Sequence, residues 1–254
     1  MKNIAILGAT SGIGAAVATY LAQEQYDLFL LGRNVDKLSN LLHELTNSAI
    51  KVSTFLIDYA QEASITDFVT KVDDLQLQFS GAVIITPRPE MTDSNFPGGE
   101  YWETLFNNCF IQPLKILESI ISCCLPKSKI VIVSGISSIQ AIHNHASAFS
   151  VLRMMWLAQA KSLANELGPR GIQVNTLSPG GVLTESAKVL INQKAEKNNR
   201  SFEEQYNESV SNVPLRKYAE PEEIAAMVEF LLSDKASHLT GLNIACDGGF
   251  IQSY

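Results

Sequence analysis

The stretch Gly8-Ala9-Thr10-Ser11-Gly12-Ile13-Gly14 decides how the rest of the chain is read. It follows the short apolar run Asn3–Leu7 and leads directly into an amphipathic run over residues 13–23, so it reads as a turn between a strand and a helix. Glycines let such a turn tighten and let its backbone approach a bound group closely. The helix N-terminus beyond it presents unpaired N–H groups and the positive end of the helix dipole, which suits a pyrophosphate. The spacing is Gly-x-x-x-Gly-x-Gly, a variant of the commoner dinucleotide fingerprint. Gly8, Thr10, Ser11, Gly12, Ile13 and Gly14 are therefore expected to hold a nicotinamide dinucleotide.

Moving outward, residues 28–31 read as a second buried strand, followed by Gly32-Arg33-Asn34. An acidic side chain at this place grips a ribose 2′-hydroxyl, whereas an arginine suits a 2′-phosphate. Arg33 with Asn34 thus points to NADP(H) in preference to NAD(H); a surface arginine stacked near adenine is the other reading. Further apolar runs at residues 52–57, 82–85, 130–133, 172–177 and 242–245 alternate with helical patterns at 36–45, 64–75, 102–123 and 148–167. That alternation predicts an α/β fold, a Rossmann-type doubly wound parallel sheet with helices on both faces, in one domain over residues 1–254. Residues 187–212 are polar and charged, and read either as a helical flap over the substrate cleft or as a plain solvated helix. Pro221 opens a helix through Leu232, proline being suited to a first turn.

With 254 residues, 46% hydrophobic and 18% charged, the chain can bury a large core without disulfides or metals. Its net charge of −7 argues against a nucleic-acid or anionic-membrane partner. The four cysteines, Cys109, Cys123, Cys124 and Cys246, lack metal-ligand spacing and fit a reducing cytoplasm. Met1-Lys2 followed by an apolar stretch imitates a signal peptide, but Gly8, Thr10, Ser11, Gly12 and Gly14 interrupt it. No apolar run reaches membrane-spanning length, so a soluble, cytoplasmic protein without a metal is expected.

Taken with the glycine turn, several other stretches resemble the short-chain dehydrogenase/reductases over nearly the whole length. They are Asp58 after the third strand, Ala164-Asn165-Glu166-Leu167, residues 171–175, Pro179-Gly180 with Thr184, Pro221-Glu222-Glu223-Ile224-Ala225, and Thr240-Gly241 with Asp247-Gly248-Gly249. The C-terminal half is most similar to the 3-oxoacyl-ACP-reductase-like members. By that resemblance Asp58 holds the adenine edge, with Tyr59 beside it and Thr86 ending the fourth strand. Backbone around Pro179, Gly180 and Val182 takes the nicotinamide carboxamide, and Thr184 takes a phosphate. The resemblance also implies a homo-oligomer, a tetramer or a dimer.

The catalytic positions depart from that family. Its members use a tyrosine as proton donor, a lysine four residues later, a serine that orients the carbonyl and an asparagine that supports a proton relay. Anchoring on Lys161-Ser162-Leu163-Ala164 places Phe149 at the tyrosine and Arg153 at the lysine. The serine position falls on Gly135 by strand alignment or on Ile136 by counting back, with Ser134, Ser137 and Ser138 as neighbours. Cys109 takes the asparagine position beside Asn107 and Asn108, and Ile85-Thr86-Pro87-Arg88-Pro89 replaces the usual Asn-Asn-Ala-Gly. Phenylalanine has no proton to give, and a positioned general acid is worth roughly 10²–10⁴ in rate, about 3–5 kcal/mol of barrier. Arg153 still offers hydrogen bonds to ribose hydroxyls. Replacement donors to weigh are Ser134, Ser137, His143, His145, Tyr101 and Tyr206. Two readings follow: an NADP(H)-dependent oxidoreductase of a carbonyl with a non-standard proton donor, or a non-catalytic NADP(H)-binding sensor or partner subunit.

Overall fold

The computed structural model describes residues 2–46, 49–90, 92, 94–142 and 147–252. Seven strands, β1 (Asn3–Leu7), β2 (Asp27–Gly32), β3 (Val52–Leu56), β4 (Phe79–Ile85), β5 (Cys124–Val133), β6 (Gln173–Pro179) and β7 (Asn243–Cys246), make one sheet. Its order is β3-β2-β1-β4-β5-β6-β7, and every neighbouring pair is parallel. The chain direction across the sheet therefore reverses between β1 and β4, and ligands of such sheets sit beyond the carboxyl ends of strands at that switch.

The sheet is buried on both faces, which is why its central strands are unbroken apolar runs. From β1, Ala5 and Leu7 face one core with Phe68, Ile116 and Trp156, while Ile4 and Ile6 face the other with Val17, Leu21 and Val228. The helices are α1 (Gly12–Gln23), α2 (Val35–Leu45), α3 (Glu62–Asp74), α4 (Gly99–Phe106), α5 (Gln112–Ser122), α6 (Ser147–Leu167), α7 (Glu185–Lys197), α8 (Phe202–Ser209) and α9 (Pro221–Leu232).

Two elements differ from the sequence reading. The single helix expected over 102–123 is α4 and α5 joined by a π-helical turn at Asn107–Ile111. Such a turn inserts one residue without breaking the apolar period enough to be seen, and it re-aims side chains next to it. Strand β5 also starts earlier than residue 130. Its pairing jumps from Phe79↔Cys124 to Gly81↔Lys129, so a bulge containing Pro126 and Lys127 hides the strand pattern. The polar span 187–212 forms parts of α7 and α8, and α8 opens with a capping box between Ser201 and Glu204.

The π-helical turn is tied down by Trp156, fully buried in α6, whose indole N–H donates to the Cys109 carbonyl at 3.0 Å. Trp156→Phe keeps much of the volume but orphans that carbonyl. Urea unfolding is expected to show a loss of about 1–3 kcal/mol, the cost of a buried unsatisfied polar group.

Candidate functional site

The glycine turn leaves the carboxyl end of β1 with Gly8 at φ +80°, a left-handed conformation that glycine adopts without strain. The Gly8 and Ala9 amides both donate to the Leu31 carbonyl at 3.0 Å, locking the turn to β2. Ser11 donates its amide to the Gly8 carbonyl, and its hydroxyl accepts from the Gly14 amide at 2.9 Å as the cap of α1. The Gly12 and Ile13 amides find no partner among the described residues, as expected of a first helical turn. A Cβ on Gly14 would lie 2.1 Å from the Gly8 carbonyl oxygen, and one on Gly12 would lie 2.7 Å from the Thr184 methyl. The turn is a compact cradle of outward N–H groups with Thr184 against it.

From this cradle a cleft of about 1090 Å³ runs to α4 and the π-helical turn. Gly8, Thr10, Ser11, Arg33, Asn34, Asp58 and Tyr59 all line it. Asn34 is also the cap of α2, its side-chain carbonyl accepting from the Lys37 amide at 2.8 Å. The Asp58 carboxylate accepts from the Ala60 amide at 3.1 Å and the Gln61 side chain at 3.0 Å, which fixes its orientation on the wall. Burial pushes the Tyr59 phenol well above its ordinary value, so it stays neutral. Thr86 points back into the sheet, donating its hydroxyl to the Val133 carbonyl at 3.0 Å. Pro179 ends β6, and Gly180 packs so tightly on Asp247 that a Cβ would lie 2.9 Å from its Cα. Val182 bridges to Ala219, and Thr184 caps α7.

At the catalytic positions, Phe149 is 6% exposed and the Arg88 guanidinium lies over its ring, 5.6 Å from the centroid. Arg153, one helical turn on, donates from Nη1 to the Ser137 hydroxyl at 2.9 Å. Burial and then the neighbouring Arg88 pull Arg153 down to about 10, so it remains a cation at neutral pH. Gly135 explains part of the serine ambiguity: a Cβ there would lie 2.5 Å from Arg153 Nη1, so the guanidinium fills the space a serine side chain would need. The three serines have separate fates. Ser178 donates to Asn243 at 2.7 Å, so the 3.0 Å contact between Ser138 and Ser178 has Ser138 as donor. The Ser134 hydroxyl is buried without a partner among the described residues. Only Ser137 is held by a cation through its oxygen, which leaves its proton for another acceptor.

Of the other donors weighed, Tyr101 lines the cleft and donates its hydroxyl to the Glu90 carbonyl at 2.8 Å. The Tyr206 hydroxyl instead accepts from the Tyr218 amide at 3.1 Å, and its ring packs on Phe202 and Tyr218. His143 and His145 lie outside the described residues. Cys109 sits on the cleft wall, its thiol pushed up to about 11 by burial and then by Glu90, so it supplies no thiolate near neutrality. The sequence expects residues 86–99, Arg88 among them, to line the cleft without placing their side chains, and it does not assign Lys37 there. Lys37 stands four residues after Arg33, and Arg88 sits between two prolines just beyond β4; both line the cleft.

A family model described as enoyl-(acyl carrier protein) reductase matches residues 8–251. The chain is similar to D-erythrulose reductase of Gallus gallus, 28% identical over 99% of this chain and 96% of that one. It is also similar to NADPH-dependent reductase BacG of Bacillus subtilis, 22% identical over 98% of this chain and 97% of the relative. A short chain dehydrogenase family protein from Francisella tularensis superposes with a TM-score of 0.85 at 25% identity, covering 98% of both chains. Among the described residues no helix is long and apolar enough to cross a membrane, and no cluster of metal-ligating side chains occurs.

Proposed function

The chain belongs to the short-chain dehydrogenase/reductase family, and from that premise we propose that it reduces a carbonyl group with NADPH, using the Ser137 hydroxyl in place of the family's tyrosine to meet the carbonyl oxygen. The observation that carries this reading is the 2.9 Å hydrogen bond from Arg153 to Ser137. A guanidinium donating into a hydroxyl oxygen polarises the O–H bond and makes it a stronger donor to developing negative charge.

The residues present fit a dinucleotide. The cradle that a Cβ on Gly14 would fill, with the free Gly12 and Ile13 amides, suits the pyrophosphate, and Arg33 with Lys37 suits a 2′-phosphate. When bound, NADPH supplies a hydride from its nicotinamide ring. Arg153 then serves the ribose hydroxyls with its remaining N–H groups while fixing Ser137. The substrate is a ketone, a 3-oxoacyl thioester or a relative of one, and the active form is a homo-oligomer, tetramer or dimer, in the cytoplasm. Light scattering tests the assembly. Following NADPH oxidation with 3-oxoacyl thioesters, diketones and simple ketones tests the activity, and turnover by the unaltered protein is expected.

Arg33→Glu is expected to lower kcat/KM for NADPH by roughly 10–100-fold and to leave NADH nearly unaffected, since only the 2′-phosphate loses a charged partner. An unchanged ratio between the two cofactors would remove Arg33 from the site. A second reading has one observation in its favour: Phe149 stands buried where the proton donor belongs. Tight NADPH binding with no turnover of any carbonyl would select it, making the chain a nucleotide-binding sensor or partner subunit.

A further inference from the structure

The segment that leaves β6 is held at two neighbouring glycines. The Gly180 amide donates to the Cys246 carbonyl at 3.0 Å, and Gly180 packs on the Asp247 backbone. Gly181 instead meets the Tyr218 ring: a Cβ there would fall 2.2 Å from its Cδ1 and 2.3 Å from its Cε1. The φ of Gly181 is not left-handed, so the ring and not the backbone conformation demands a glycine. Ala219, next to Tyr218, donates its amide to the Gly181 carbonyl at 2.9 Å and accepts the Leu183 amide at 2.8 Å.

Tyr218 is itself fixed. Its amide donates to the Tyr206 hydroxyl at 3.1 Å, and its ring meets the Tyr206 ring edge-on with centroids 5.7 Å apart. Phe202 stacks on Tyr206, and both belong to α8, so the ring that backs Gly181 is seated on that helix. Gly180, Leu183 and Thr184 donate their amides to carbonyls, while the Gly181 and Val182 amides find no partner among the described residues. Gly181 is exposed, so these free N–H groups stand on an open stretch of chain. Just beyond it, Thr184 lies against the glycine cradle, 2.7 Å from where a Gly12 Cβ would stand. A dinucleotide with its pyrophosphate at that cradle and its adenosine half toward Arg33 and Asp58 sends its other half across the switch, toward β4, β5 and β6.

Resting on the reductase reading above, we propose that Tyr218 is a positioning residue for the nicotinamide half of the cofactor. Its ring, seated on α8, sets the backbone of Gly181 and Val182 so that their free N–H groups serve the carboxamide oxygen. Tyr218 acts through Gly181 and supplies no ligand contact of its own. Glycine is the least restrained of residues, so donors on it are aimed in advance only when something packs against them.

Calorimetric titration with NADPH and with 2′-phospho-ADP-ribose, the same molecule without its nicotinamide, tests this without turnover. Tyr218→Ala is expected to weaken NADPH binding by about 10–100-fold and to leave the fragment within about 3-fold. Tyr218→Phe keeps the ring and is expected to bind both ligands as the unaltered protein does. Tyr206→Phe removes only the acceptor of the Tyr218 amide, and is expected to cost NADPH about 3–10-fold with the fragment again unaffected. A loss shared equally by the two ligands, no loss in Tyr218→Ala, or a Tyr218→Phe variant as weak as Tyr218→Ala overturns the assignment. Should circular dichroism show that Tyr218→Ala does not fold, an unchanged NADPH affinity in Tyr206→Phe overturns it instead. An unaltered protein that binds neither ligand fails the reductase reading and this one with it. One that binds both ligands equally keeps its cofactor, and only the role of Tyr218 falls.

Discussion

Gly14→Ala is expected to weaken NADPH binding by about 100-fold, or close to 3 kcal/mol, with a smaller loss of folding stability. The methyl group would arrive 2.1 Å from the Gly8 carbonyl oxygen and 2.8 Å from the Ser11 hydroxyl. Neither neighbour can move cheaply. The Gly8 carbonyl accepts the Ser11 amide, and the Ser11 hydroxyl caps α1 through the Gly14 amide, so displacing either opens the turn that aims the N–H groups. Gly12→Ala is the internal comparison. Its methyl would meet the Thr184 Cγ2 at 2.7 Å and Cβ at 2.8 Å; rotation moves only the first, so the start of α7 must shift, but the turn's own backbone is spared and a milder defect of about 10-fold is expected. Fluorescence titration of NADPH against both variants, with thermal unfolding alongside, reads the two effects. A Gly14→Ala protein that folds and binds NADPH normally would refute the placement of the cofactor at this turn.

The ordering of elements was legible because burial on both faces writes itself into strands as continuous apolar runs. β1 and α9 come out with the bounds the pattern implies, Asn3–Leu7 and Pro221–Leu232. Where polar or helix-breaking residues carry structure, the pattern fails. Ser80 and Gly81 conceal the start of β4, and the bulge at Pro126 and Lys127 conceals that of β5. The π-helical turn is invisible for another reason, since one inserted residue shifts the helical phase only locally. The tight turn between β1 and α1 was legible because glycines mark where backbone must come close. The side-chain position of Arg88, within a stretch expected on the cleft, was not, because it depends on β4 ending opposite α6, and no local spacing encodes that meeting. The Gly135 substitution makes sense only in three dimensions as well. Arg153 is longer and broader than lysine, and the missing side chain at Gly135 is the room it takes.

Ser137→Ala is expected to lower kcat by about 100- to 1000-fold, the effect of removing one preorganised donor to an oxyanion, with KM for NADPH little changed. The variant deletes the only hydroxyl in the Ser134–Ser138 run that accepts from a cation, and it leaves the Arg153 Nη1 donor without its partner. Ser138→Ala is the control, because that hydroxyl is spent on Ser178 in the core and its loss should appear as a few degrees of melting temperature with kcat retained. Phe149→Tyr supplies the opposite change. It places a phenol beneath the Arg88 guanidinium, and a neighbouring cation favours the ionised form, so the new hydroxyl would be a better acid than an ordinary tyrosine. If Ser137 already supplies the donor, Phe149→Tyr adds less than the roughly 10²–10⁴ a lone general acid gives, but restores most of the activity lost in Ser137→Ala. The double variant is therefore the decisive protein. Activity recovered there and lost in Ser137→Ala means that the two side chains serve one oxygen. A silent unaltered protein beside an active Phe149→Tyr variant would mean instead that the site can hold a carbonyl and lacks only its acid, which is the signature of a binding subunit.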